Sequence, residues 1–489
     1  MKKSAWAACV LLAACEERPD RFNNGVGLSA PVAMDGALVY SAPGRLGFIA
    51  VDVETRTPRV HALGVALEQP VRLSTGAVVA FDTSGERLGI LRADGSSALY
   101  ALGAEFDTVW PAEDGTHVLL SRSGSTQGLT NASEVALVDV YAPASATNPA
   151  RRALPNAGNR ITSVVVSPDS PFGRLVFFLS ESHIAIVPVD AFPTAAARSV
   201  PLAAGVTPRL ARFDSPSDGV FDVFFEAAGT ADLIHLAFEG EGAPPRPTLN
   251  LLPTHGSGAD DFLVVPPIAD APRTLLAPVP REWTLALVDP STGVAKHYQL
   301  GLPAARAALY SSELTSAPEV VLYANGSNRF ARLALAELPA KKSKAITEFN
   351  LAGAVAEVLP AAGGSRFVVS HAGGLVQLTL VDATTSELVP FTGTDTLRSI
   401  ALSGDTERVY ALSYGYPGQI TEITVRTAAT RAVDAPSVSE MLLVVPSGSG
   451  EVLALVGNNE LGQVSLSTDF TAWSDVRDFA LVGALEEVL

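Results

Sequence analysis

Residues 164–190 read VVVSPDSPFGRLVFFLSESHIAIVPVD, and the fold turns on this stretch. The run Leu175-Val176-Phe177-Phe178-Leu179 follows a turn that opens on Ser167-Pro168-Asp169, and the next apolar run closes on Val189-Asp190. Short runs rich in Val, Leu and Phe, bounded by Pro, Asp, Gly and Ser, read as strands joined by tight turns. The phrase recurs along the chain. Its turn returns as Met34-Asp35-Gly36, Glu113-Asp114-Gly115, Ser403-Gly404-Asp405 and Pro446-Ser447-Gly448. Its central strand returns as Ala37-Leu38-Val39-Tyr40, Thr116-His117-Val118-Leu119-Leu120, Arg408-Val409-Tyr410-Ala411-Leu412 and Glu451-Val452-Leu453-Ala454-Leu455. Its close returns as Val51-Asp52-Val53-Glu54-Thr55, Val138-Asp139-Val140, Val288-Asp289-Pro290-Ser291-Thr292-Gly293 and Val381-Asp382-Ala383-Thr384-Thr385. An aspartate there can accept hydrogen bonds from backbone N–H groups two residues on, which gives it a structural role in turning the chain into an outer strand.

Units marked this way start near Gly27, Pro70, Phe106, Arg160, Thr207, Asp260, Ala304, Val355, Thr396 and Ser437. The period, roughly 45 residues, is the length of a four-stranded propeller blade. The strands carry no long amphipathic helical pattern between them, so the class is all-β, a β-propeller of four-stranded blades. The units at Pro70 and Asp260 are weakly marked, and insertions such as Ser121 to Ser133 and Tyr141 to Asn156 can hide or mimic a unit. Seven, eight or ten blades are open at this point, as is a division of residues 26–489 into two smaller rings. The Ser167-Pro168-Asp169 turn together with the Val288-to-Gly293 turn resembles the YVTN and WD40-like propeller repeats of bacterial surface proteins. That resemblance implies the fold and licenses no function.

The N-terminus carries a different signal. Lys2 and Lys3 precede an apolar segment, Ser4 to Leu12, too short for a permanent transmembrane helix. Leu12-Ala13-Ala14-Cys15 then resembles the lipobox of bacterial lipoproteins. The resemblance implies cleavage after residue 14, a lipid on the Cys15 sulfur and acylation of the new amine. Several acyl chains hold a protein at a bilayer firmly. Residues 15–25 read as the lipidated cysteine and a polar tether, and Glu16 in place of Asp after the cysteine favours the outer membrane, facing the periplasm or the cell surface.

Composition narrows the partners. Hydrophobic residues make up 47% and charged residues 17%, which permits a large core. The net charge is −17, and loss of Lys2 and Lys3 with the signal makes it more negative still. Nucleic acid and electrostatic docking to anionic lipid both need clustered Lys and Arg, and only Lys341-Lys342-x-Lys344 offers such a run. With Cys9 removed and Cys15 lipidated, no thiol is left for a disulfide or a Cys-ligated metal.

Motifs for enzymatic chemistry are absent from the sequence: it holds no Gly-x-Ser-x-Gly elbow, no His-Glu-x-x-His helix, no EF-hand loop and no Gly-x-x-x-x-Gly-Lys phosphate loop. No cofactor is implied. The most polar cluster is His255-Gly256-Ser257-Gly258-Ala259-Asp260-Asp261, where His255, Asp260 and Asp261 could ligate a divalent cation and a solvated loop is the plainer reading. In a propeller the inter-unit loops and the loops between second and third strands emerge on one face, over the channel. That sorting collects Arg45, Arg122, Arg160, Arg281, Arg329, His371, Tyr414 and Tyr416 as a candidate binding face for an anionic or sugar-like ligand or a protein. Two functions follow as expectations. One is a membrane-anchored, non-catalytic binding or scaffold module whose partner is an envelope protein or polymer. The alternative is a propeller hydrolase or lactonase-like enzyme in which a channel-mouth metal or His/carboxylate pair activates water.

Overall fold

The computed structural model describes residues 27–122, 133–154, 160–240, 246–254, 256–267, 273–310, 318–335, 345–362, 366–380, 386–391, 397–415, 418–436, 439–457, 462–477 and 479. Within them, forty strands form ten four-stranded antiparallel sheets. The protein is an all-β propeller of ten such blades. Blades 1 to 10 span 32–62, 71–101, 108–153, 161–201, 207–253, 263–299, 306–350, 355–390, 397–434 and 441–477. Each begins at or just after a start marked by the sequence repeat. The weakly marked units are true blades whose first strands are very short, Val71–Arg72 and Leu263–Val265.

The repeated aspartates act as their turn chemistry requires. Asp52 Oδ1 accepts the N–H groups of Glu54 at 3.0 Å and Thr55 at 2.7 Å. Asp139 does the same for Tyr141 and Ala142, and Asp289 for Ser291. Burial alone would raise the Asp52 carboxyl, but these turn hydrogen bonds outweigh it and hold the group below the ordinary carboxylate range. The turn at Val381-Asp382 lies outside the described residues.

The chain divides into two compact units. One comprises residues 1–72, 76–99 and 436–489, and the other residues 73–75 and 100–435. In the first, blade 1 shows the two-residue period of a strand buried on both faces. Leu38, Tyr40, Ile49 and Val51 pack on Val445, Val452 and Leu466 of blade 10. Val39, Phe48 and Ala50 point the other way, onto Val78, Ala80 and Leu91 of blade 2. In the second unit, Leu175, Phe177 and Leu179 of blade 4 meet Phe221, Val223 and Phe225 of blade 5, while Val176 and Phe178 meet Leu119 and Val135 of blade 3. Phe177 lies edge-on to Phe225 at 5.8 Å and to Phe238 at 6.3 Å. Fully burying one such ring contributes about 2–3 kcal/mol.

Polar links lace neighbouring blades where the first strand turns into the second. Arg174 of blade 4 reaches Asp114 of blade 3. Arg273 of blade 6 pairs with Asp214 at 2.6 Å and Asp222 at 2.7 Å, both in blade 5. Ala362 N–H of blade 8 donates to Thr406 O of blade 9 at 2.7 Å. In the smaller unit Gly36 N–H donates to Pro446 O, also at 2.7 Å.

One core group is out of place energetically. The Tyr40 hydroxyl is buried with no hydrogen-bond partner among the described residues, its ring 5.1 Å from that of Phe479. Burial pushes the phenol pKa up. An unsatisfied buried hydroxyl destabilises, so Tyr40→Phe is expected to raise stability by about 1 kcal/mol, read as a higher urea midpoint. A lower midpoint would show that the hydroxyl has a partner.

Candidate binding site

The first strands of blades 4, 5, 6 and 7 lie beside one another in turn, and the fourth strands, such as Ala429–Asp434 in blade 9, are largely exposed. Four first strands of the larger unit carry a β-bulge near their start. The register shifts between Ile161 and Ser163, Pro208 and Ala211, Val355 and Glu357, and Leu397 and Ser399. A bulge leaves residues unpaired and re-aims their side chains.

The blade 5 bulge sets Arg209 and Leu210 against Glu226 of the second strand. Arg209 is exposed, whereas Glu226 is 5% exposed. Burial lifts the Glu226 pKa to about 7; Arg209 opposes that rise, and the charges of Asp260 and Asp261 add to it. Linkage then gives a sign: the folded state holds a proton that the unfolded state has released, so this group's contribution falls as pH rises from about 4.5 to 7. Glu226→Gln is expected to remove that slope and raise Tm at pH 7.5, measured by calorimetry at pH 5.5 and 7.5.

The loop before blade 6 supplies the floor. Asp261 is buried, and its carboxylate accepts the N–H groups of Phe262 at 2.9 Å and Ala307 at 3.1 Å and meets Arg212 at 3.4 Å. It thereby ties blades 5, 6 and 7 together. Arg212 in turn lies over the Phe262 ring at 5.9 Å. Asp260, beside it, is exposed. Among the described residues no group of three or more His, Cys, Asp or Glu is placed to hold a metal. His255 lies outside the described residues.

The residues collected from the sequence as one face have separate settings. Arg122 is buried and committed to Glu105, its Nε donating to the Glu105 carbonyl at 2.6 Å and its Nη2 to the carboxylate at 3.0 Å. Arg329 pairs with Glu348 of the outermost strand of blade 7. His371 is buried, its Nδ1 accepting Gly373 N–H at 2.9 Å, and burial lowers its pKa. Arg45 is half-buried on the 3-10 turn Pro43–Arg45 of blade 1. Arg160, just before the bulged first strand of blade 4, and Arg281 are exposed. Tyr414 is 60% exposed with the Arg398 guanidinium 5.3 Å from its ring centre, and Tyr416 lies outside the described residues.

Sequence reasoning passed over Trp283. It ends the turn Pro280-Arg281-Glu282-Trp283 between the second and third strands of blade 6, and its backbone is left-handed at φ 53°. A bulky residue is rare in that conformation. The strain is held by its carbonyl, which accepts Leu300 N–H at 2.6 Å and Gln299 Nε2 at 3.0 Å. Glycine would fit the position without strain, yet the turn instead displays an indole that is 45% exposed, two residues after exposed Arg281.

No family model and no curated protein sequence matches the chain. Among solved structures it is similar to one described as a eukaryotic initiation factor, at 8% identity and a TM-score of 0.51, covering 91% of this chain and 96% of that one. It is also similar to the dihydro-heme d1 dehydrogenase NirN, at 13% identity and a TM-score of 0.45, covering 75% of each chain. Likeness at such identity speaks for the fold alone, and the first of these structures agrees with the propeller built above from the repeat.

Proposed function

We propose that this chain is a non-catalytic binding or scaffold module of the cell envelope. In this reading residues 1–14 are removed, Cys15 carries the lipid anchor in the outer membrane, and the propeller presents its turns to an envelope protein or polymer in the periplasm or at the cell surface. The observation that carries it is Trp283. A strained, half-exposed tryptophan two residues from an exposed arginine has the composition of an interface hot spot, and local strain kept against an easy glycine calls for a gain elsewhere. Tyr414 with Arg398 supplies a second contact of the same chemistry.

Capture of partners from the protein's own membranes, with wild type compared to Trp283→Gly and Tyr414→Ala, tests the reading. Trp283→Gly is expected to leave Tm unchanged or raised while partner recovery drops at least about tenfold, the range of a hot-spot loss. Undiminished recovery by both variants would overturn the assignment of these turns. Anchoring is tested separately by metabolic labelling with an alkynyl fatty acid: label is expected on wild type and lost in Cys15→Ser.

A further inference from the structure

We propose that the fourth strand of blade 5, Thr248–Pro253, pairs with the same strand of a second copy of this chain, antiparallel and centred on Asn250. The proposal does not rest on the docking turns. A strand at the edge of a sheet offers unpaired N–H and C=O groups to any other chain, and charged side chains are the usual guard. Among the described residues, eight of the ten fourth strands carry Lys, Arg, Asp or Glu. The strand Ser97–Ala101 of blade 2 carries none, but its Tyr100 is buried. Thr248–Pro253 is also uncharged, ends its sheet, and exposes Leu249 at 39% and Leu251 at 58%.

The register makes this edge complementary to itself. Thr254 N–H donates to Ala231 O at 3.1 Å, one step beyond the ladder that pairs Pro253 with Asp232 and Asn250 with His235. Antiparallel pairs alternate between bonded and non-bonded, so Thr248, Asn250 and Leu252 bond inward, while Leu249 and Leu251 turn their N–H and C=O groups to the outer edge. Pro253, also at an outward position, has no N–H to leave unpaired there, and Pro247 bounds the other end. Residues 247–253 read Pro-Thr-Leu-Asn-Leu-Leu-Pro, nearly the same in either direction about Asn250. Turned about a two-fold axis at Asn250, Leu249 of each copy exchanges both N–H···O bonds with Leu251 of the other, and the leucines of both copies gather on one face of the joined sheet. Charge agrees with this placement. The net charge of −17 sets copies of the chain against one another, and along this strand no like charges meet. The same register brings exposed Arg246 of each copy toward Asp232 of the other, beside Pro253. A single strand pair covers less area than a permanent dimer needs, so the association is reversible.

Sedimentation velocity over a concentration series tests the pairing on the full chain carrying Cys9→Ser and Cys15→Ser, which keeps lipid-driven association out and leaves no native thiol. A monomer–dimer equilibrium is expected, and Leu251→Lys, at an exposed position, should weaken it at least about tenfold with Tm unchanged. Crosslinking reads the register. Residues opposite each other in a non-hydrogen-bonded pair have Cα atoms about 4.5 Å apart, within disulfide reach. Asn250→Cys should therefore oxidise to a covalent dimer, whereas Thr248→Cys, which faces Leu252 of the other copy and not itself, should stay monomeric on a non-reducing gel. The proposal falls if the chain is monomeric at every concentration, if Leu251→Lys dimerises as tightly as the chain without it, or if Thr248→Cys crosslinks as readily as Asn250→Cys.

Discussion

Replacing Glu319 with leucine is expected to cost about 3–5 kcal/mol of stability, because it removes one partner of a buried ion pair and leaves the other in place. Glu319 and Arg332 are each 2% exposed on the second and third strands of blade 7. The Arg332 guanidinium grips the Glu319 carboxylate through Nε and Nη2, and the Tyr310 hydroxyl donates to Oε2 of the same carboxylate at 2.8 Å. Tyr310 stands edge-on to Phe367 of blade 8 at 4.6 Å, so the triad also fixes how those two blades meet. Loss of the carboxylate removes the acceptor shared by the Arg332 Nε and Nη2 groups and the Tyr310 hydroxyl. The double variant Glu319→Leu with Arg332→Met should recover most of the loss, since an apolar pair of similar volume often replaces a buried ion pair without penalty. Chemical denaturation of the wild type, the single variant and the double variant gives the coupling directly. A single variant as stable as wild type would show that water or a rearrangement reaches Arg332.

The second large effect lies in blade 5, at the equivalent pair of positions. Asp222 faces Ala237 and His235 faces Phe224, as Glu319 faces Ala334 and Arg332 faces Val321. His235 Nε2 meets Asp222 at 2.8 Å, and Arg273 meets its other oxygen at 2.7 Å. Burial would raise the Asp222 carboxyl, but the hydrogen bonds from His235 and Arg273 outweigh it and lower the pKa. A carboxyl held below its unfolded value stabilises fully above about pH 4 and loses that contribution as pH falls through the depressed folded value. Asp222→Ala is therefore expected to cost about 3 kcal/mol at pH 7 and progressively less below pH 4. A loss that stayed constant down to pH 2 would mean that Asp222 acts through packing alone.

The repeat was legible because its turns are local chemistry. An aspartate that closes on a backbone N–H two residues on writes itself into the sequence, which is why Asp52, Asp139 and Asp289 marked their blades. Blades 2 and 6 were faint because first strands of two and three residues leave almost no apolar run to see. The candidate site was legible only where it coincided with a loop, at Asp260 and Asp261. Glu226 sits inside Phe221-Asp222-Val223-Phe224-Phe225-Glu226, an apolar strand to the eye, and a bulge at Arg209 depends on pairing that no single strand records. Arg122 and Arg329 read as free loop arginines because their partners Glu105 and Glu348 lie 17 and 19 residues away, across a strand pair.

The laced turns between neighbouring blades have a consequence for how damage spreads. Asp114 with Arg174, Asp214 and Asp222 with Arg273, and Ala362 with Thr406 each join one blade to the next. Coupling of that kind is nearest-neighbour, so a lesion decays with blade number as in a one-dimensional lattice. Hydrogen exchange after Asp222→Ala should quicken in blades 5 and 6 and fade beyond them. Turns on distant blades can then change their side chains one at a time while the rest of the lattice keeps its register.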